Sequence, residues 1–84
     1  MTRLWPDGLL LQVDEEGAGA PQWIRWEGQR HSIVNITRRW RVRSDWWREA
    51  VWRDYFKLIT DSGLLLIIFH DLCSDEWYLQ RLYD

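Results

Sequence analysis

The amino-acid sequence predicts an all-β fold, a small antiparallel meander of five to six strands curled into a barrel or half-barrel, SH3-like or similar. Three observations carry that expectation. Apolar and β-branched runs are short and recur about every ten residues, a spacing that suits strands better than helices. Turn-forming groups such as Glu27-Gly28 and Asp61-Ser62-Gly63 fall between them. Finally, a chain of 84 residues hides only about 64% of its unfolded surface on folding, so it makes one domain whose sheet must curl to protect its edges.

The elements follow in order. Leu9 to Val13 is a short apolar run, and residues 14–21, acidic with Gly and Pro, read as an exposed loop. Residues 1–21 are therefore expected to form a partly ordered N-terminal segment, with residues 22–84 as the core β-domain. Gln22 to Trp26 alternates, placing Ile24 and Trp26 on one face, and Glu27-Gly28 turns the chain into a second run, so residues 22–43 read as a hairpin. His31 and Ile33 share a face, whereas the later apolar set is Val34, Ile36, Trp40 and Val42. That change of parity predicts a bulge near Ile33 or Val34. Ser44 to Trp52 admits two readings, one short helical turn near residues 45–50 capped by Ser44 or Asp45, or an irregular strand connection. Tyr55 to Thr60 and Leu64 to His70 flank a three-residue loop with Gly63 where a left-handed residue is wanted, the strongest hairpin signal in the chain. Trp77 to Tyr83 completes the meander, with Trp77, Leu79 and Tyr83 expected on one face.

The net charge of −2 conceals a strong internal asymmetry. Residues 25–57 hold eight Arg and one Lys against four acids, while the flanks on either side are acidic. The longest apolar run, Leu64 to Phe69, is far shorter than the roughly twenty residues a membrane-spanning helix needs. The opening residues Met1 to Asp7 do not resemble a secretory signal, and the one cysteine, Cys73, precludes an intramolecular disulfide framework. A cytoplasmic location without membrane contact is the expectation.

Chemistry that needs a constellation finds none. His70 and Cys73 are too few to close a tetrahedral metal site and would point to opposite faces of an extended chain. Glu15-Glu16 and Asp75-Glu76 read as solvated loop carboxylates, and the glycines fall in turns rather than in a phosphate-cradling loop. The expectation is a protein without catalytic residues, metal or cofactor.

Arg38 to Trp52 carries more information. In a strand, Arg39, Arg41 and Arg43 line one face and Trp40 and Val42 the other, giving a basic stripe on the back of a packed strand. Trp46 and Trp47 are consecutive, so in an extended chain one of them faces away from the core. One reading makes Arg39, Arg41, Arg43, Trp46, Trp47, Arg48, Trp52 and Arg53 an interaction surface able to anchor in a partner's pocket or to stack bases. The other lays Arg stems over indoles within the chain, at about 0.5–1 kcal/mol per contact. Eight Trp, three Tyr and two Phe at about 200 Å² each overfill a core of this size, which favours some Trp at an interface.

Trp26-x-Gly28, Ile36, Trp40-Arg41, Trp46-Trp47, Tyr55-Phe56, Gly63, Asp71-Leu72 and the terminal Trp77-Tyr78-Leu79-Gln80-Arg81-Leu82-Tyr83-Asp84 resemble an uncharacterised bacterial domain family. That family in turn is similar to the C-terminal region of ImuB, a non-catalytic homologue of Y-family polymerases, and the likeness covers residues 21–84. It departs from the pattern at Phe69, where Tyr is usual, and at Ser74-Asp75-Glu76, where a Gly precedes the final Trp. The resemblance implies an accessory role in DNA-damage-induced translesion synthesis, with a subunit of a polymerase complex as protein partner. The sequence carries neither a polymerase body nor a clamp-binding peptide, so what the resemblance implies is a small non-enzymatic interaction module. The alternative is single-stranded nucleic-acid binding through the Trp/Arg patch, and a homodimer that hides exposed Trp is a further option.

Overall fold

A computed structural model describes residues 2–14, 20–45 and 50–83. Six strands follow one another antiparallel: β1 (Arg3–Asp14), β2 (Trp23–Trp26), β3 (Gln29–Asp45), β4 (Ala50–Thr60), β5 (Leu65–Asp71) and β6 (Glu76–Tyr83). Each pairs with the next and β6 returns to β1, so the meander closes into a ring. The ring is not a regular barrel. β3 stays with β2 only from Gln29 to Ser32, then pairs with β4 from Ile33 to Asp45, so the sheet splits between β2 and β3.

Within the N-terminal segment, β1 is a strand of this ring. β1 pairs with β2 through Gln12↔Arg25 to Asp14↔Trp23 and with β6 through Arg3↔Leu82 to Leu11↔Trp77. The apolar side chains explain this: Leu11 is buried, and Trp5 meets Trp26 edge to face at 5.9 Å. The loop at Asp61-Ser62-Gly63 turns as expected, with Gly63 N donating to Thr60 O at 3.0 Å and Thr60 N to Leu64 O at 3.0 Å. His31 Nδ1 meets Ser62 Oγ at 2.6 Å, tying β3 to that turn.

Two apolar clusters occupy opposite faces of the sheet. Inside the ring, Leu11, Ile24, Phe56, Leu58, Leu66, Ile68, Trp77, Leu79 and Leu82 form the main core. On the outer face, Tyr55, Ile67 and Phe69 are buried too, with Trp40, Tyr78 and Tyr83 packed against them. β5 is therefore covered on both sides, which is why Leu66-Ile67-Ile68-Phe69 is continuously apolar instead of alternating. Part of the outer cover comes from β1. Gly8, at a φ of 83°, lies so close that a Cβ there would stand 2.7 Å from Tyr78 Cβ and 2.8 Å from Phe69 Cζ.

Register shifts distribute residues between the two faces. The expected bulge occurs at Val34, between the pairs Ile33↔Thr60 and Asn35↔Ile59, and Val34 is exposed. A second shift, between Ile36 and Arg38, had no signal in the sequence pattern and has a large effect: Ile36 packs inward, while Trp40 joins the outer cluster. Arg39, opposite Phe56, is thereby turned to the inner face, so the basic stripe lies on the ring-interior side and not on the back of the strand. A third shift separates Ile67↔Arg81 from Ile68↔Leu79 and leaves Gln80 as the extra residue. Tyr83 consequently sits in the outer cluster, away from Trp77 and Leu79 with which the alternation had grouped it. As for the helical turn near residues 45–50, Asp45 and Ala50 are paired strand residues, and residues 46–49 lie outside the described residues.

Candidate functional site

β4 pairs with β5 only from Arg53 onward, through Arg53↔Asp71, whereas its ladder with β3 continues through Arg43↔Trp52, Ser44↔Val51 and Asp45↔Ala50. The far ends of β3 and β4 thus run past the rim of the ring as a two-stranded ribbon. Leu72 N in the β5–β6 connection ties to it, donating to Trp52 O at 2.9 Å. With Arg43 and Trp52 exposed on one side and Val42 on the other, the ribbon presents side chains on both faces.

Alternation sets the first face. Arg39, Arg41 and Arg43 oppose Phe56, Asp54 and Trp52 respectively, and directly opposed residues of an antiparallel pair share a face. Asp54 organises this side. Its buried carboxylate accepts Arg41 Nε at 2.6 Å and Arg41 Nη2 at 3.0 Å in a bidentate fork, and Arg39 Nη2 lies 3.5 Å away. The hydrogen bonds from Arg41, aided by its charge and that of Arg39, hold the Asp54 carboxyl below the usual carboxylate range although burial opposes them. The same hydrogen bonding raises Arg41. Both arginine side chains remain about half exposed, at 52% and 53%. Further out, Trp52 is 38% exposed, with the guanidinium of Arg43 5.4 Å and that of Arg41 5.9 Å from its ring centroid. The indole is partly clasped by arginine and partly open.

The second face bears an aromatic row that follows the register across four strands. Trp40 stacks on Tyr55 at 5.2 Å, Tyr55 meets Phe69 at 5.1 Å, and Phe69 stacks on Tyr78 at 5.1 Å. Cations cover it. Arg38 lies 5.0 Å from the Trp40 ring, Arg53 4.5 Å from Phe69, and Lys57 5.4 Å from Tyr83. Arg53 Nη1 also donates to Tyr55 Oη at 3.3 Å, while its Nε is buried without a hydrogen-bond partner.

Of the residues the sequence singled out, Arg39, Arg41, Arg43 and Trp52 come together on one face. Arg53 does not: it opposes Val42 and lies on the other face, because consecutive strand residues point to opposite sides. Trp46, Trp47 and Arg48 lie outside the described residues. Sequence reasoning missed Asp54, the carboxylate around which the basic face is arranged, since its role depends on which residue stands opposite Arg41. It also missed the outer aromatic row, whose members come from four different strands.

Elsewhere, His70 stacks on Trp77 at 4.4 Å, with its Nε2 2.8 Å from Asp75 Oδ1, and Cys73 is exposed in the following turn. No group of three or more His, Cys, Asp or Glu suited to a metal ion occurs among the described residues. An open cleft of about 760 Å³ lies beside Leu11, Trp23, Arg25 and Trp77, with Asp14 and Asp75 at its edge, and includes none of the ribbon's arginines. No family model matches this chain, and neither curated proteins nor solved structures give a significant match.

Proposed function

We propose that this protein is a non-enzymatic interaction module whose contact surface for a protein partner is the β3–β4 ribbon. The observation that carries the reading is the half-open Trp52 indole beside Arg43, on strands that continue past the rim where neither β2 nor β5 covers them. Trp and Arg are among the residue types enriched at the energetic hot spots of protein interfaces. The test is affinity capture of a specific partner by the tagged chain. Trp52→Ala and Arg43→Glu are expected to lose that partner with an unchanged circular dichroism spectrum, as are Trp46→Ala and Trp47→Ala on the segment joining the two strands. Folded variants that capture the same partner as the parent would remove the reading.

The resemblance to the ImuB C-terminal region directs the search for that partner to translesion polymerase complexes in the cytoplasm. Adjacency of the gene to mutagenic polymerase subunits would support it. Single-stranded nucleic acid is the second reading, supported by the aromatic and cationic outer face. Against it, Tyr55 and Phe69 are buried at 7% and 1% exposure, and the spacing of their neighbours leaves few ring faces open for a base. If three or four phosphates were neutralised, log affinity would fall with log salt at a slope of roughly −2 to −3. Absence of oligonucleotide binding at low salt removes that reading, and light scattering on the purified chain tests the homodimer.

A further inference from the structure

We infer that the outer edge of β3, from Val34 to Arg43, accepts an extended segment of another protein as an additional strand, one in which acidic residues alternate with apolar ones. The inference rests on the proposed interaction surface and extends it from the ribbon, which this edge meets at Arg43, back along β3.

The edge is long and open. β2 leaves β3 after the pair Trp23↔Ser32, with Ile33 N donating to Gln22 O at 2.9 Å as the last tie. Beyond it, among the described residues, β3 pairs on one edge alone, with β4. In an antiparallel ladder alternate residues direct N–H and C=O away from the partner strand, so this stretch offers a row of main-chain donors and acceptors to a newcomer.

The side chains define the newcomer. An added strand shares the pleat of the sheet, so every second residue would lie on the face of Arg39, Arg41 and Arg43, and the others beside Trp40 and Val42. Asp54 already demonstrates, on the β4 side, what the arginine face receives: a carboxylate directly opposite Arg41, gripped at 2.6 and 3.0 Å. That grip uses two of the five guanidinium donors of Arg41, and Asp54 meets one nitrogen of Arg39, so both half-exposed side chains keep donors for a second carboxylate on the free side. On the other face, Val42 is 38% exposed and Trp40 half-buried, which suits apolar residues at the alternate positions.

A second copy fits poorly. Pairing this edge with itself would bring the arginines of one chain against those of the other, and like charges directly opposite one another destabilise a sheet. A nucleic acid would meet the charges but cannot continue the main-chain ladder.

The test uses the whole chain and two fluorescent peptides of about nine residues, the length that spans this edge at about 3.4 Å per residue. One alternates Glu and Val; the other has the same composition with Glu and Val in separate blocks. The alternating peptide is expected to bind, the block peptide at least about tenfold more weakly. Its binding should slow amide hydrogen exchange at alternate β3 residues between Asn35 and Arg43, and Arg43→Glu should weaken it. Equal binding of both peptides without that protection would reduce the effect to net charge and overturn the inference. So would protection that rises with protein concentration alone, the mark of a second copy, or failure of the alternating peptide to bind. If the peptide fails while Trp52→Ala still loses the captured partner, only the strand-addition inference falls. If Trp52→Ala and Arg43→Glu capture normally, the ribbon itself has been misjudged.

Discussion

Replacing Gly8 by Ala measures how firmly the first strand is pressed against the outer aromatic row. Two costs combine there. A φ of 83° is foreign to an L side chain, at about 1–2 kcal/mol. The added Cβ would also stand 2.7 Å from Tyr78 Cβ and 2.8 Å from Phe69 Cζ. The Phe69 ring is 1% exposed and already stacked on Tyr78, so neither atom can withdraw freely. Overpacking of that kind adds about 1–3 kcal/mol, for a total of roughly 2–5 kcal/mol. Gly63 supplies the matched control, because its φ of 88° is nearly the same while nothing lies within 4 Å of its would-be Cβ. Gly63→Ala should therefore lose only the backbone cost. Thermal and urea unfolding of both variants read the difference; with about 4–8 °C per kcal/mol in a domain of this size, their Tm values should separate by on the order of ten degrees. Equal losses in the two variants would refute the close approach of β1 to Phe69 and Tyr78.

Asp54→Asn tests the arginine clamp through pH. The folded Asp54 carboxyl titrates below its ordinary range because Arg41 hydrogen-bonds to it, so its stabilisation is complete above the unfolded value of about 4 and disappears as pH falls through the lower folded value. Urea midpoints of the parent chain should decline across that acidic window, and Asp54→Asn should lack that part of the decline. In the inner core, Phe56 is fully buried and 5.5 Å from the Trp77 ring. Truncating it to Ala should cost about 3–5 kcal/mol and leave the domain marginally folded at room temperature, as near-ultraviolet circular dichroism would record.

Period-two alternation is enough to place Arg39, Arg41 and Arg43 on a common face, and the clash between His31/Ile33 and the later apolar residues is enough to expect a bulge near Ile33 or Val34, which the register puts at Val34. What alternation lacks is an absolute reference. The second shift, between Ile36 and Arg38, falls in a stretch where Thr37 and Arg38 suit either face, so nothing announced that Trp40 would leave the interior. Gln80 behaves likewise: a polar residue amid alternating apolar ones looks like an outward position, not an inserted one, so alternation alone puts Tyr83 with Trp77 and Leu79 rather than in the outer cluster. The role of Asp54 was illegible for a different reason. A lone acid beside Tyr55 and Phe56 gains meaning only when the β3–β4 register sets it against Arg41 and within reach of Arg39, and register across a connection of unknown geometry is not a local property.

The closing pair, β1 with β6, joins the strands most distant along the chain, whereas every other junction is between consecutive strands. Consecutive strands meet by closing short loops; this seam pays the largest chain entropy for its contacts. Its ladder is also interrupted between Leu4 and Leu9, the stretch that contains Gly8. Fluctuations that release β1 would leave the β3–β6 meander paired while uncovering Phe69 and Tyr78, and hydrogen exchange along β1 should be faster than along β5.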